Sequence, residues 1–331
     1  MNEEKVTIIV GIYNSESFLR KGLESIRNQT WTNIEVLLMD DGSPDNSGII
    51  CDEYAAMDKR FIPIHKANSG VCDSRNKGLD LATGDFVCFM DGDDWLSPDF
   101  VEYMMSIIHK TNTQMALSEH LFTTRNQEQI PCDKIESKDY CDVVSDIIYL
   151  KMVLGPWNKL YSMELIKNYN IRFPSHWFGE TLHFANTIAY YSNKVGVGHR
   201  KVYNYRLNNA DSGTTRFDVK TRLLSLDNVL NLRKCLFAKN KEIKNAIEWH
   251  IYDNYFLLLL CIIASNSKEQ YATEYLEAKK YLKRNWLRTL IRSQVDLKRK
   301  VLIVLEAFVP NVLAKRRIKR LGKAFSKDTM V

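Results

Sequence analysis

The chain has 331 residues, 45% of them hydrophobic and 11% aromatic, and carries a formal net charge of +6. This apolar content excludes a disordered chain, and the length suits two domains or one large domain with an appendage. The charge is uneven: residues 283–331 hold 14 Lys/Arg against 3 Asp/Glu, whereas residues 1–282 hold 32 against 37. A binder basic throughout is thereby excluded, and with no recognition module present no nucleic-acid partner is expected.

Seven cysteines (51, 72, 88, 132, 141, 235 and 261) include no C-x-x-C pair. An odd count without a framework points to a reducing compartment and against a cysteine-ligated zinc site. Residues 1–5 lack the charged and apolar regions of a signal peptide. The longest apolar runs, Tyr255–Ala264 and Val301–Leu313, fall short of the ~20 residues that span a bilayer. A soluble or peripheral chain is expected.

In chain order, Val6–Val10 reads as a buried strand, followed by a helix that Ser17 can cap, with Phe18, Leu19, Leu23 and Ile26 on one face. Ile34–Met39 is a second strand, stopped by Asp40-Asp41-Gly42-Ser43-Pro44, and Asp45–Met57 a second helix. Phe61–Ile64, Val71–Leu81 and Phe86–Met90 follow as strand, helix and strand, the last ending at Asp91-Gly92-Asp93-Asp94. This βαβα order predicts an open parallel sheet covered on both faces. Beyond it, Asp99–His109 and Asp139–Met152 read as helices, and Met115–Leu121 as extended. Pro156–Lys159 is an interruption, Glu180–Ser192 a helix and Val195–Leu207 extended. From Asp218 the pattern is helical, near 219–237, 242–265, 269–285 and 296–320. A domain boundary is placed near 215, with a donor half at about 1–100 and an acceptor half at about 100–215.

Ligands of such sheets bind beyond the carboxyl ends of the strands. Three polar clusters fall there: Tyr13-Asn14 after the first strand, Asp40-Asp41 after the second, and Asp91–Asp94 after the fourth. Asp91-Gly92-Asp93 sets two carboxylates to face a hard cation, with Gly92 allowing close approach. In isolation, an acidic turn capping the next helix explains the same residues. An EF-hand is disfavoured because Leu96 takes the place of its glycine. Asp40-Asp41 likewise fits either a ligand site or a turn, and Arg75 either a phosphate contact or a salt bridge.

Five segments together resemble glycosyltransferase family 2, the inverting group with the GT-A fold. They are Val10-Gly11-Ile12-Tyr13-Asn14, Leu23–Trp31, Asp40–Ser47, Asn68–Leu79 and Phe89–Asp94. Pro156–Tyr161 and Tyr203–Gly213 extend the resemblance less specifically. It implies a GT-A, Rossmann-like mixed sheet with helices on both faces, followed by a helical C-terminal region. It also implies donor contacts from Ile12, Tyr13, Asn14, Asp41, Arg75, Asp91, Gly92 and Asp93, with Asp41 accepting from uracil and so favouring a UDP-sugar. Asp93 would ligate Mn²⁺ or Mg²⁺ on the diphosphate, and Arg206 and Ser212 would approach it. Trp157, Lys159 and His183 would lie on the acceptor side. Trp157 equally reads as a core anchor, and His183 as a helix-face histidine. Gly11 stands where the family has Pro.

An inverting transfer needs a general base to take the acceptor's proton. In the family this is the Asp of G-E-D-x-x-F; here Phe178–Phe184 puts Thr181 at that place, which has no basic form at neutral pH. Glu180 from the preceding position is the leading candidate. A base-deficient sugar-nucleotide-binding partner protein is the alternative, and His183 a further substitute.

Lys315, Arg316, Arg317, Lys319, Arg320 and Lys323 follow an apolar stretch from Val301 to Val309. Residues 296–325 thus read as a peripheral anchor on an anionic membrane, or as a helix packed on its own domain or a partner, a homo-oligomer included. The sequence-based expectation is a metal-dependent inverting glycosyltransferase at the inner face of a bacterial membrane. It would move a sugar from a UDP-sugar to a glycan or lipid-linked acceptor in surface-polysaccharide synthesis.

Overall fold

The computed structural model describes residues 4–174, 180–207 and 218–328, excluding the side chains of 180, 181 and 321–328. The chain divides into two compact units, Met1–Leu207 and Asn208–Val331.

The first unit opens with β1 (Val6–Ile12), α1 (Glu16–Arg27), β2 (Ile34–Asp40), α2 (Ser47–Met57), β3 (Phe61–His65), α3 (Val71–Leu81) and β4 (Phe86–Asp91). The first, second and fourth of these strands are almost continuously buried, as strands covered on both faces must be. After β5 (Trp95–Leu96) come α4 (Phe100–Thr111), β6 (Met115–Ser118), β7 (Phe122–Thr123), β8 (Ile135–Asp139) and α5 (Tyr140–Ile148). β9 (Lys159–Ser162), α6 (Met163–Asn168), α7 (Glu180–Ser192), β10 (Lys194–Gly198) and β11 (Tyr203–Tyr205) complete the unit.

Eight strands form one sheet in the order β3-β2-β1-β4-β9-β6-β10-β8, and β5-β11-β7 form a small second sheet. The first four are parallel, as expected. β9 is antiparallel to both β4 and β6, and β10 is parallel to β6. The carboxyl ends of β1, β2, β4, β6 and β10 therefore share one edge.

Three expectations are corrected. Helix α1 starts at Glu16, not behind a Ser17 cap, because Asp45 Oδ2 from the loop after β2 accepts the Glu16 N–H at 2.9 Å. The Pro156–Lys159 interruption leads into β9, a central strand that Lys159 begins. Val195–Leu207 is two strands in two sheets.

The second unit packs α8 (Val219–Asn231), α9 (Lys241–Ala264), α10 (Ala272–Arg292), α11 (Leu297–Phe308) and α12 (Pro310–Asp328). The expected 219–237 helix ends at Asn231 in two 3₁₀ turns, and the expected 296–320 helix divides at Pro310, which cannot donate its nitrogen to the preceding turn. Among the described residues α9 alone is long and apolar enough to cross a membrane, and 83% of its apolar window is buried. Its polar groups have partners in the same unit: Tyr252 OH donates to the Ile303 carbonyl at 2.9 Å, and Asp253 pairs with Arg299 at 2.7 Å. It is the core helix of a bundle.

Candidate active site

Strand register assembles the site. Ile12 pairs with Asp40, and Gly11 with Asp91, so the ends of β2, β1 and β4 lie side by side. The ladder continues past them: Asp41 N–H donates to the Ile12 carbonyl and Gly92 N–H to that of Gly11, each at 2.9 Å. A Cβ on Gly92 would stand 2.9 Å from Ser15 Oγ and 3.1 Å from the Gly11 carbonyl oxygen, so the close packing of this turn favours glycine.

The two carboxylates of Asp40-Asp41 do different work. Asp40 accepts the Ser43 N–H at 3.0 Å and pairs with His65 Nδ1 at 2.9 Å, bracing the turn. Asp41 accepts the Ser69 N–H at 2.9 Å and the Gly70 N–H at 2.8 Å, and pairs with the Lys66 ammonium. Burial acts to raise its pKa, but these hydrogen bonds prevail and hold it below the usual range. Gly42, at φ +68°, takes the left-handed turn that presses this loop onto residues 66–68. Asn14 N–H approaches Ser43 Oγ at 3.3 Å, and Tyr13 remains 53% exposed at the rim.

Arg75 and Asn76 of α3 reach opposite ways. Arg75, 5% exposed, donates to Asp91 Oδ1 at 3.0 Å. Asn76 closes a two-way amide clamp on Phe173, 2.9 Å in both directions. Phe173 stacks on Phe184 of α7 at 3.9 Å, and Phe184 meets Phe89, two residues before Asp91, at 5.6 Å. Helix α7 ends one residue before β10 begins, with Asn193 turning at φ +63°. It therefore runs back along that strand, and its first residue, Glu180, comes to the same edge as Asp91. The side chains of Glu180 and Thr181 lie outside the described residues, as does Ser212.

Asp94 was not singled out in the sequence, yet it anchors the site. Its carboxylate is 1% exposed, accepting the Tyr203 hydroxyl at 2.7 Å and the Arg206 N–H at 2.8 Å. Burial, then the charges of Asp91 and Asp93, raise its pKa well above the ordinary carboxylate value. Arg206 donates through Nε to the Asp93 carbonyl at 2.8 Å and lies over Phe18. Lys21 sits 3.3 Å above the Trp95 ring. Arg75 and Arg206 thus both hold the carboxylate turn. The third Asp of the D-G-D-D run was the available signal, but only the fold shows which strand it fastens.

Trp157 stacks on Tyr203 at 5.2 Å and on Tyr205 at 4.8 Å, and so bears on Asp94 through Tyr203. Lys159 is 1% exposed and donates to the carbonyls of Val153 (2.8 Å) and Gly155 (2.6 Å); burial lowers its ammonium to about 7. His183 is half-buried, its Nδ1 has no hydrogen-bond partner among the described residues, and burial lowers its pKa. One turn on, Asn186 is fully buried with its amide group likewise unpartnered.

The Asp91–Asp94 turn fits a hard divalent ion on two grounds. Its donors are carboxylate oxygens, the set that suits Mg²⁺ and Mn²⁺. Its charges are also crowded enough to perturb Asp94, a repulsion that a cation would relieve.

The sequence model of the family described as Glycosyl transferase family 2 matches residues 7–195. EpsH of Bacillus subtilis (strain 168) is 32% identical over 216 residues, covering 62% of this chain and 62% of EpsH. The match thus spans less than two thirds of that relative. S. aureus TarS 1–349 in complex with UDP-GlcNAc superposes with a TM-score of 0.62 at 19% identity, covering 97% of this chain and 92% of that one. The mannosyltransferase PcManGT from Pyrobaculum calidifontis, in complex with GDP-Man and Mn²⁺, superposes at 0.54 with 14% identity, covering 92% of this chain and 87% of that one. These two likenesses concern the fold, which is the expected GT-A arrangement with a helical C-terminal region. With more than half of its length matched by the family's sequence model, the chain belongs to glycosyl transferase family 2.

Proposed function

We propose that this chain is a metal-dependent inverting glycosyltransferase that moves a sugar from a UDP-sugar to a hydroxyl of a glycan or lipid-linked acceptor in bacterial surface-polysaccharide synthesis. The observation that carries the reading is the register placing Asp41, Asp91 and the start of α7 at one sheet edge. Asp41 uses three of the roughly four acceptor positions of a carboxylate, leaving one for the N–H of a uracil. Tyr13 flanks the base, with Ile12 and Asn14 beside it. Asp93, with Asp91 beside it, would hold Mn²⁺ or Mg²⁺. A bound cation supplies charge neutralisation on the diphosphate as the glycosidic bond breaks. Arg75 orients Asp91, and Arg206 orients the Asp93 backbone. Glu180 takes the acceptor proton. The TarS complex with UDP-GlcNAc and the PcManGT complex with Mn²⁺ support the donor class and the metal.

Calorimetric titration of UDP and of GDP, each with and without Mn²⁺, tests this reading. UDP is expected to bind more tightly with Mn²⁺, and GDP more weakly than UDP. No binding of UDP under either condition overturns the proposal. Thr181 at the family's Asp position favours one other reading, a binding protein without transferase activity.

We further propose that α11 and α12 lie on an anionic membrane at its cytoplasmic face. Leu297, Val301, Leu305, Phe308 and Val312, spaced by three or four residues, are 39–78% exposed. The exposed cations Lys315, Arg316, Arg317, Lys319 and Arg320 follow them, a pairing that suits anionic headgroups. Co-sedimentation with phosphatidylglycerol vesicles but not phosphatidylcholine vesicles is expected, lost when those five cations become Gln. No sedimentation with either vesicle refutes the membrane; self-association through this face would instead make it an interface between copies.

A further inference from the structure

A cluster of metal-ligating side chains lies away from the Asp91–Asp94 turn. Glu119 and His120 follow β6, and His199 follows β10. The parallel pairs Leu117–Val197 and Ser118–Gly198 bring these two strand ends side by side. One ligand atom from each of Glu119, His120 and His199 falls within 4.8 Å of the others. His199 Nδ1 is 2.6 Å from Glu119 Oε2, and His120 Nε2 is 3.9 Å from the same oxygen. Bonds of zinc length in a tetrahedral site set ligand atoms about 3.4 Å apart. The two observed separations straddle that spacing, so small side-chain rotations reach it.

Three further features distinguish this group from a casual surface ion pair. The other ring nitrogen of His199, Nε2, stands 3.2 Å from Glu136 Oε1. That is the carboxylate–histidine arrangement which fixes the tautomer of a metal-binding imidazole and aims its other nitrogen outward. Glu136 is itself held in place by cations: its Oε2 pairs with the Lys134 ammonium at 2.5 Å, and its Oε1 lies 3.5 Å from that of Lys138. With Glu136 set against Nε2, the other ring nitrogen, Nδ1, faces the Glu119 carboxylate. The backbone under the ligands is also braced. Ser118 Oγ donates to the carbonyls of His120 and Arg200, and the fully buried Asn158 donates to those of Ser118 and His120.

Glu119 and His120 line a cleft of about 500 Å³, with Glu128, Gln129, Val153 and Lys201 among its other walls. We propose that Glu119, His120 and His199 bind a zinc-class divalent ion, with Glu136 orienting His199, and that the ion pins the β6 and β10 loops to form one wall of this cleft. Two imidazoles and one carboxylate favour Zn²⁺ over the Mg²⁺ or Mn²⁺ suited to an all-oxygen turn. Three protein ligands leave a fourth position for water or for a group entering the cleft.

The test uses the full chain without a histidine tag, titrated with Zn²⁺ and, separately, with Co²⁺. One equivalent of zinc is expected to survive desalting, and cobalt to give the intense visible absorption of tetrahedral coordination. His120→Ala and His199→Ala are expected to lose both signals, whereas Asp93→Ala keeps them. Glu136→Gln leaves all three ligands in place and is expected to weaken zinc binding by about 10–100-fold. Melting curves without metal identify any histidine variant that fails to fold, in which case the Glu136→Gln affinity and the cobalt spectrum decide. Zinc retention unchanged in both histidine variants, or no zinc held by the wild-type chain, overturns the proposal.

Discussion

Glu180→Gln is expected to lower sugar transfer by about 10²–10⁴-fold, the usual contribution of a positioned general base, while UDP affinity stays within about twofold. Glutamine keeps the length and shape of the side chain and removes its basicity, so packing at the start of α7 is conserved. The expectation rests on placement: α7 runs back along β10, and its first turn stacks through Phe184 and Phe173 against α3 and β4. That puts Glu180 at the edge where Asp91 ends its strand. Under the proposed mechanism a base at this point would take the proton of the acceptor hydroxyl. Thr181→Asp in the Glu180→Gln background restores the family's usual acid and is expected to recover part of the lost rate. Initial rates with a UDP-sugar and native membranes as acceptor provide the measurement. Transfer unaffected by Glu180→Gln removes Glu180 from the mechanism. A wild-type chain that binds UDP but transfers to no acceptor supports the binding-protein reading, and activity gained by Thr181→Asp alone would say why.

Asp93→Ala is expected to abolish the manganese-dependent part of UDP binding and to cut transfer by about 10²–10³-fold, the typical loss when one group aimed at developing charge is removed. The same substitution relieves part of the repulsion that perturbs Asp94, so the folded state should be no less stable. This separates a lost ligand from a lost fold: melting temperature unchanged or raised, with metal-linked binding gone. Asp94→Ala should do the opposite. It removes the acceptor for Tyr203 and for the Arg206 N–H, and so loosens β11 from the turn. Calorimetry with and without Mn²⁺, paired with melting curves, reads both. Metal-dependent binding that survives Asp93→Ala would place the ion elsewhere.

The parallel β1–β4 core and the strand-end clusters are legible in the order of the amino acids. Unbroken apolar strands can lie only where both faces are covered, and polar residues that interrupt them must fall at their ends. The sequence also named the family, through the order and spacing of five motifs. Tertiary structure alone decided how neighbouring, chemically similar residues divide their work. Asp40 braces a turn while Asp41 binds the 66–70 loop; Arg75 reaches Asp91 while Asn76 clamps Phe173; Asp94 is a buried anchor beside Asp93. The missed strand β9 was hidden because its first residue is a lysine whose burial is tolerated only by two carbonyls of a preceding turn. The Glu119–His120–His199 group was illegible because its members lie about 80 residues apart and meet only through the β6–β10 pairing. Local spacing encodes strands, helices and turns through short-range sterics and hydrophobic periodicity. Which side chains converge at one point depends on sheet order, and that is set by long-range burial of the whole core.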